Sequence, residues 1–182
     1  FKKNNMNPYE VIIEDILAKH SIVNSFDIKK WLWQYHQDND SILERVGRAT
    51  SLKLNSFFRL DHCHYTMLPD DDQITQEIKC SVVNVLSAIK QPYDGCIIVE
   101  LIPDITYTKF PNLGFAWDKF SLTSFVTHYL SEYYKTFVKA SNFSKFVLYD
   151  AKKYESLNSD REFIDLLKKD YSKEEIKYKL SE

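Results

Sequence analysis

The sequence has very little glycine: its 182 residues include only Gly47, Gly95 and Gly114, which lie far apart. Average usage of roughly 7% would give about thirteen in a chain of this length. Glycine-rich phosphate loops need several closely spaced glycines, because only a backbone without side chains can approach the phosphate groups. The scarcity of glycine therefore excludes the usual dinucleotide and nucleoside-triphosphate loops, and we expect no nucleotide cofactor.

Several other features are missing as well. The three cysteines have no CxxC spacing, which is typical of reduced thiols, and we expect a cytoplasmic protein. No apolar stretch approaches the length of a membrane span, since even 96–102 contains Glu100. The 24 basic and 26 acidic residues give a net charge of −2, which by itself favours no polyanionic partner. The polar start without an initiator methionine predicts a fragment of a longer protein.

Residues 7–68 carry the pattern of three helices followed by a β-hairpin. The helices are indicated by apolar residues at helical spacing, and capping residues precede the first and third. Two short runs rich in aromatic and apolar residues follow, separated by polar residues as in a hairpin. The predicted elements are helices at 7–20, 25–35 and 41–55 and strands at 57–60 and 64–68.

Residues 70–150 follow a looser version of the same order. The segment 96–102 is compatible with a strand or a helix, and an aromatic loop occupies 105–116. Beyond them, 156–182 shows two capping boxes and predicts a helical tail. The predicted elements of the second block are helices at 73–89 and 117–131 and strands at 136–138 and 146–149. The whole chain is therefore expected to be a helix-rich α+β protein.

The order of elements in 7–68 resembles that of the winged-helix family, and 70–150 resembles it more loosely. The departure in the second block is the aromatic loop 105–116, which stands where a tight helix-turn-helix connection is expected. The resemblance implies two winged-helix-like domains in tandem, each with three helices and a hairpin, followed by the tail 156–182. In winged-helix proteins that bind DNA, the third helix enters the major groove and the hairpin touches a neighbouring phosphate.

The local charge fits this interpretation better than the net charge does. Residues 45–59 contain four basic side chains and no acid, and 135–153 contain five lysines against one aspartate. Phosphate groups are held by basic side chains and base edges by polar ones. We therefore expect a non-catalytic fragment that binds nucleic acid, most simply duplex DNA. The candidate phosphate contacts are Arg45, Arg48, Lys53, Arg59, Lys139 and Lys145, and the candidate base contacts are Ser51 and Asn55.

An alternative function is protein interaction or dimerisation through an aromatic surface around 105–116. The chain contains twelve tyrosines, twelve phenylalanines and three tryptophans, more than small cores of this kind need. Aromatic side chains are frequent anchors of protein interfaces. A contiguous apolar patch formed by Tyr107, Phe110 and Phe115 would favour this alternative, whereas their burial would favour a structural role.

No group of residues in the sequence indicates an enzyme or a metal centre. Arg59 and His64 match the R-x4-H pattern of HEPN ribonucleases, but that pattern lies on a helix in the family and 57–67 predicts a hairpin. His62, Cys63 and His64 are the one metal-like cluster, yet neighbouring strand residues point to opposite faces and two further ligands are not recognisable. We expect no catalytic residues, no bound metal and no cofactor in this fragment.

Overall fold

The protein is described by a computed structural model over residues 8–34, 57–90, 95–138, 146–156 and 162. Within these ranges the chain is a mixed α+β structure with five α-helices and two small three-stranded antiparallel sheets, so the predicted α+β class is confirmed. Of the helices in these ranges, none is both long and apolar enough to cross a membrane. The predicted helix 41–55 and the tail 156–182, apart from residue 156 and Glu162, lie outside the described residues.

The helices and short strands follow one another in two successive parts of the chain. The first part contains α1 (Pro8–His20), β1 (Ile22–Asn24), α2 (Ser25–Gln34), β2 (Phe58–Arg59) and β3 (His64–Thr66). The second part contains α3 (Gln76–Ser87), β4 (Cys96–Ile98), a 3-10 helix (Val99–Leu101), α4 (Asp104–Tyr107), α5 (Lys119–Tyr129), β5 (Tyr134–Val138) and β6 (Phe146–Asp150). Positive φ angles of 75° at Gly95 and 83° at Gly114 show that both glycines serve turns.

The first sheet joins the hairpin to the short strand that precedes α2. Its order is β1–β3–β2, with Val23 and Arg59 both paired to Tyr65 of the central strand. The first two predicted helices and the hairpin are present, but the sequence did not indicate β1. Seven buried residues of this part form one cluster: Ile13, Ile16, Leu17, Val23, Ile28, Phe57 and Tyr65.

Two polar residues, Ser21 and Asn24, set the boundary between β1 and the helices beside it. Ser21 ends α1 with a positive φ of 59°, and its N–H still donates to the carbonyl of Leu17 at 2.9 Å. The Asn24 side chain then accepts the N–H of Phe26 at 2.9 Å, which satisfies a free donor at the start of α2. Because Ser21 ends α1 and the Asn24 side chain caps the start of α2, the three residues Ile22–Asn24 can form β1 between the two helices.

The second sheet has the order β4–β6–β5, and α5 packs against it. The ambiguous segment 96–102 is a strand followed by a 3-10 helix, so it contains both structures that the sequence allowed. Asp118 begins α5 by accepting the N–H groups of Phe120 and Ser121, each at 2.8 Å, and the Ser121 hydroxyl completes a capping box. The second hairpin is present, as predicted, in β5 and β6.

The two hydrophobic cores meet at two adjacent residues of the first hairpin. Phe57 is buried in the cluster of α1 and α2, whereas Phe58 is buried in the cluster that surrounds α5. Adjacent residues of an extended chain point to opposite faces, which lets one strand contribute to both cores. The backbone N–H of Arg59 also donates to the Ser124 hydroxyl of α5 at 3.0 Å. The first hairpin is therefore attached to the second part of the chain by apolar and polar contacts.

Candidate functional site at the first hairpin

The bend between β2 and β3 is closed by the Asp61 carboxylate. Its Oδ1 accepts the N–H groups of Cys63 and His64, each at 2.9 Å, while the Leu60 N–H donates to the His64 carbonyl at 2.9 Å. Aspartate commonly closes turns in this way, because its short side chain reaches backbone donors two and three residues ahead. Partial burial would raise the pKa of Asp61, but these hydrogen bonds outweigh it and hold the pKa below its usual value.

Arg59 holds the same bend from the other strand. Its Nε donates to the Asp61 carbonyl at 3.0 Å and its Nη2 to the His62 carbonyl at 2.7 Å. The guanidinium carbon lies 4.2 Å from the ring centre of Phe120 on α5, a cation–π distance. Burial lowers the pKa of Arg59, although nearby acidic groups act in the opposite direction. Of the predicted phosphate contacts, Arg59 is the one that lies within the described residues. Its hydrogen bonds and its contact with Phe120 indicate that it stabilises the hairpin.

The side chains of Asp61, Cys63 and His64 converge in the bend. His64 Nδ1 lies 2.9 and 3.0 Å from the two Asp61 oxygens and 3.5 Å from Cys63 Sγ. The expectation that neighbouring side chains diverge here is wrong, because the strand begins only at His64 and residues 61–63 form a bend. One candidate ligand atom from each of the three side chains lies within 4.8 Å of the others.

His62 takes a different direction from this group. Its ring packs edge-on against Phe120, with ring centres 5.6 Å apart. Arg59 and His64, the two residues of the R-x4-H pattern, lie on β2 and β3 of a hairpin, as the sequence predicted. The pattern therefore lacks the helical context that it has in HEPN ribonucleases.

The aromatic residues around 105–116 form a series of tilted ring contacts that packs on the second core. Phe110 is buried and Tyr107 and Phe115 are partly buried, and Trp117 lies 5.0 Å from both phenylalanine rings. The Trp117 indole N–H donates to the Pro111 carbonyl at 2.6 Å, which fixes the loop over the core. These aromatic residues therefore belong to the core or pack against it. The packing does not favour the alternative of an aromatic interaction surface around 105–116.

A groove of about 660 Å³ lies beside this aromatic series, between the 3-10 helix and the start of α5. Three carboxylates line it, and two of them bind backbone N–H groups: Glu100 accepts from Phe146 at 2.9 Å, and Asp118 caps α5. Burial raises the pKa of Tyr107 in the same groove, and the neighbouring carboxylates add to this effect. Glu100 and Asp118 therefore stabilise the fold where they line the groove.

The remaining predicted contacts, Arg45, Arg48, Ser51, Lys53, Asn55, Lys139 and Lys145, lie outside the described residues. Sequence reasoning missed the roles of Asp61 and Asn24. For Asp61 the signal was present, since an aspartate between two strand-like runs is a common turn residue. Asn24 had no such signal, because its Nδ2 donates to Cys63 Sγ, at 3.4 Å, across the sheet.

Comparison of the chain with protein-family models, with curated proteins and with solved structures finds no match.

Proposed function

We propose that the chain is a non-catalytic nucleic-acid-binding module built from two winged-helix-like units, and that its partner is duplex DNA. The observation that carries the proposal is the shared order of the two sheets. In each sheet the last strand lies between the other two: β1–β3–β2 in the first and β4–β6–β5 in the second. In a winged-helix fold a short strand after the first helix joins the two wing strands in this order, which supports the predicted tandem.

The helices flank the strands in a matching way. α1 precedes and α2 follows β1, and 41–55 then falls between α2 and β2, where the fold requires its third helix. In the second unit α3 precedes β4, and α4 and α5 lie between β4 and β5. The same order of elements in two successive parts of one chain supports a repeated unit better than either part does alone.

The third helix proposed for the first unit, 41–55, and the third helix of the second unit, α5, differ in how well they could contact a duplex. In α5, every residue from Phe120 to Val126 is buried, and the first hairpin packs on this helix. A helix enters the major groove with an exposed polar face, so α5 is not the reading helix of this module. We assign the duplex to 41–55 of the first unit, with Arg45, Arg48 and Lys53 on phosphates and Ser51 and Asn55 at base edges.

The experiment measures duplex affinity as a function of salt for the chain and for the double variant Arg45→Glu with Arg48→Glu. Each phosphate neutralised contributes about 0.9 to the slope of log K against log salt. Loss of two contacts should weaken binding and reduce the slope by roughly two. The same measurement with single-stranded DNA separates duplex recognition from a general attraction to polyanions.

A matched control is the double variant Lys90→Glu with Lys109→Glu, which changes the net charge equally at two exposed positions of the second unit. The control should keep nearly the full affinity and slope. Equal losses of affinity in both double variants would show that net charge alone causes the effect. An unchanged slope in Arg45→Glu with Arg48→Glu would refute the assignment. Self-association without nucleic acid would favour the protein-interaction alternative.

A further inference from the structure

Three side chains of different donor chemistry meet at the bend of the first hairpin: a carboxylate, a thiol and an imidazole, from Asp61, Cys63 and His64. We infer that this bend binds one divalent transition-metal ion of the zinc class through these three side chains. The inference does not depend on DNA binding, because it rests on the donor atoms and their distances alone.

Two of the three ligand–ligand distances, those from His64, are close to the values of a tetrahedral site, and the third is within 4.8 Å. Zinc–nitrogen bonds of about 2.0–2.1 Å and zinc–sulfur bonds of about 2.3 Å place the two ligand atoms roughly 3.6 Å apart at the tetrahedral angle. The observed distance between His64 Nδ1 and Cys63 Sγ is 3.5 Å. The Asp61 oxygens lie 2.9 and 3.0 Å from Nδ1 and need to move away by only about 0.4 Å to reach the corresponding edge of roughly 3.4 Å.

The charges of the three ligands also suit a divalent ion. A carboxylate and a thiolate together balance two positive charges, and a neutral imidazole completes the set. Mixed oxygen, nitrogen and sulfur donors are typical of zinc and unlike the all-oxygen sites of calcium and magnesium. Binding would take the thiol proton from Cys63 and would require the ring proton of His64 on Nε2.

Neighbouring groups hold the ligands in place before any ion binds. Asn24 on β1 donates its Nδ2 to Cys63 Sγ at 3.4 Å, an outer contact that suits a thiolate ligand. The Arg59 guanidinium fixes the carbonyls of Asp61 and His62. Contacts of this kind orient metal ligands and set their affinity.

The site is open on one side. The side chains of His64 and Asp61 are 41% and 48% exposed, so an ion can enter from solvent and a water molecule can take the fourth position. In the described ranges no other three histidine, cysteine, aspartate or glutamate residues have ligand atoms within 4.8 Å of one another.

The experiment is a titration of the full chain, freed of metal with a chelator, with Co²⁺ and then Zn²⁺. Tetrahedral Co²⁺ bound to a thiolate gives visible d–d bands and a near-ultraviolet thiolate-to-cobalt band. We expect both sets of bands to saturate at one ion per chain and to disappear when Zn²⁺ displaces Co²⁺. Absence of the thiolate band at cobalt concentrations far above the protein concentration would overturn the inference without any variant.

Variants identify the ligands. Cys63→Ser should abolish the thiolate band, and His64→Gln and Asp61→Asn should weaken binding more than Asn24→Ala, for which we expect a loss of about tenfold. The matched controls are Cys80→Ser, which alters an exposed cysteine of α3, and His62→Gln within the bend. A thiolate band that survives Cys63→Ser, or disappears with Cys80→Ser, would refute the assignment.

Discussion

Phe58 links the first hairpin to the core around α5, and its replacement by alanine tests whether that link stabilises the second unit. The side chain is fully buried, and its ring lies 4.9 Å from Phe115. Truncating a buried phenylalanine to alanine costs about 3–5 kcal/mol, because apolar surface is lost and a cavity remains. Since domains are stable by only about 5–15 kcal/mol, Phe58→Ala should remove a large part of the free energy of unfolding.

The matched variant is Phe57→Ala, which truncates the same residue type one position earlier, in the other core. The two changes should cost similar free energies of unfolding, but in different parts of the chain. Amide hydrogen exchange followed by mass spectrometry reads these parts separately. We expect Phe58→Ala to lower protection mainly in α5 and Phe57→Ala to lower it mainly in α1.

Two results would contradict this reasoning. A loss of protection in α5 of less than about 1 kcal/mol in Phe58→Ala would show that the hairpin does not support that helix. Equal losses in α1 and α5 in both variants would show that the chain unfolds as one cooperative unit rather than around two cores. Circular dichroism of each variant confirms that its native state is folded before exchange is measured.

Two further predictions concern α5. Asp118→Ala removes the N-cap and should lower the free energy of unfolding by about 1 kcal/mol in urea titration, whereas Asp118→Asn, which retains the accepting oxygen, should cost much less. A loss as large in the asparagine variant would point to the charge instead of the cap. Burial, with a smaller effect of Asp71 and Asp70, raises the pKa of Tyr129 from 10.0 to about 12. Its neutral form is thus favoured in the fold, and the resulting stability is complete below pH 10 and is lost as the pH rises toward 12. The difference in tyrosinate absorbance between the chain and Tyr129→Phe should titrate near pH 12, and a midpoint at 10 would refute the shift.

Most helices and both hairpins could be predicted because their determinants are local. Pro8 and Ser25 mark the beginnings of α1 and α2, and Asp118 caps α5, so spacing and capping suffice. In contrast, β1 has only three residues, and it is a strand because it pairs with β3, some forty residues away in sequence. No local pattern contains that pairing.

The direction of individual side chains was harder to predict than the elements. Phe26 belongs to the apolar residues of α2 but is 69% exposed. Trp31, another large apolar residue of α2, is partly buried and stacks on His20 with ring centres 4.9 Å apart. The candidate metal ligands required knowledge of where the bend ends and β3 begins, since a shift of one residue would reverse which side chains meet.

Ser124, a buried polar residue of α5, joins the first hairpin to the second part of the chain. β2 is an edge strand of the first sheet, and an edge strand leaves backbone groups without partners in the sheet. Ser124 of α5 accepts the outward N–H of Arg59, and the Arg59 guanidinium continues over Phe120 on the same helix. Ser124 can therefore be buried in a largely buried helix, because its hydroxyl is paired with the N–H at the strand edge. If the first unit binds DNA through 41–55, the second unit acts by holding the first hairpin in position. This role explains why α5 has no exposed polar face along 120–126.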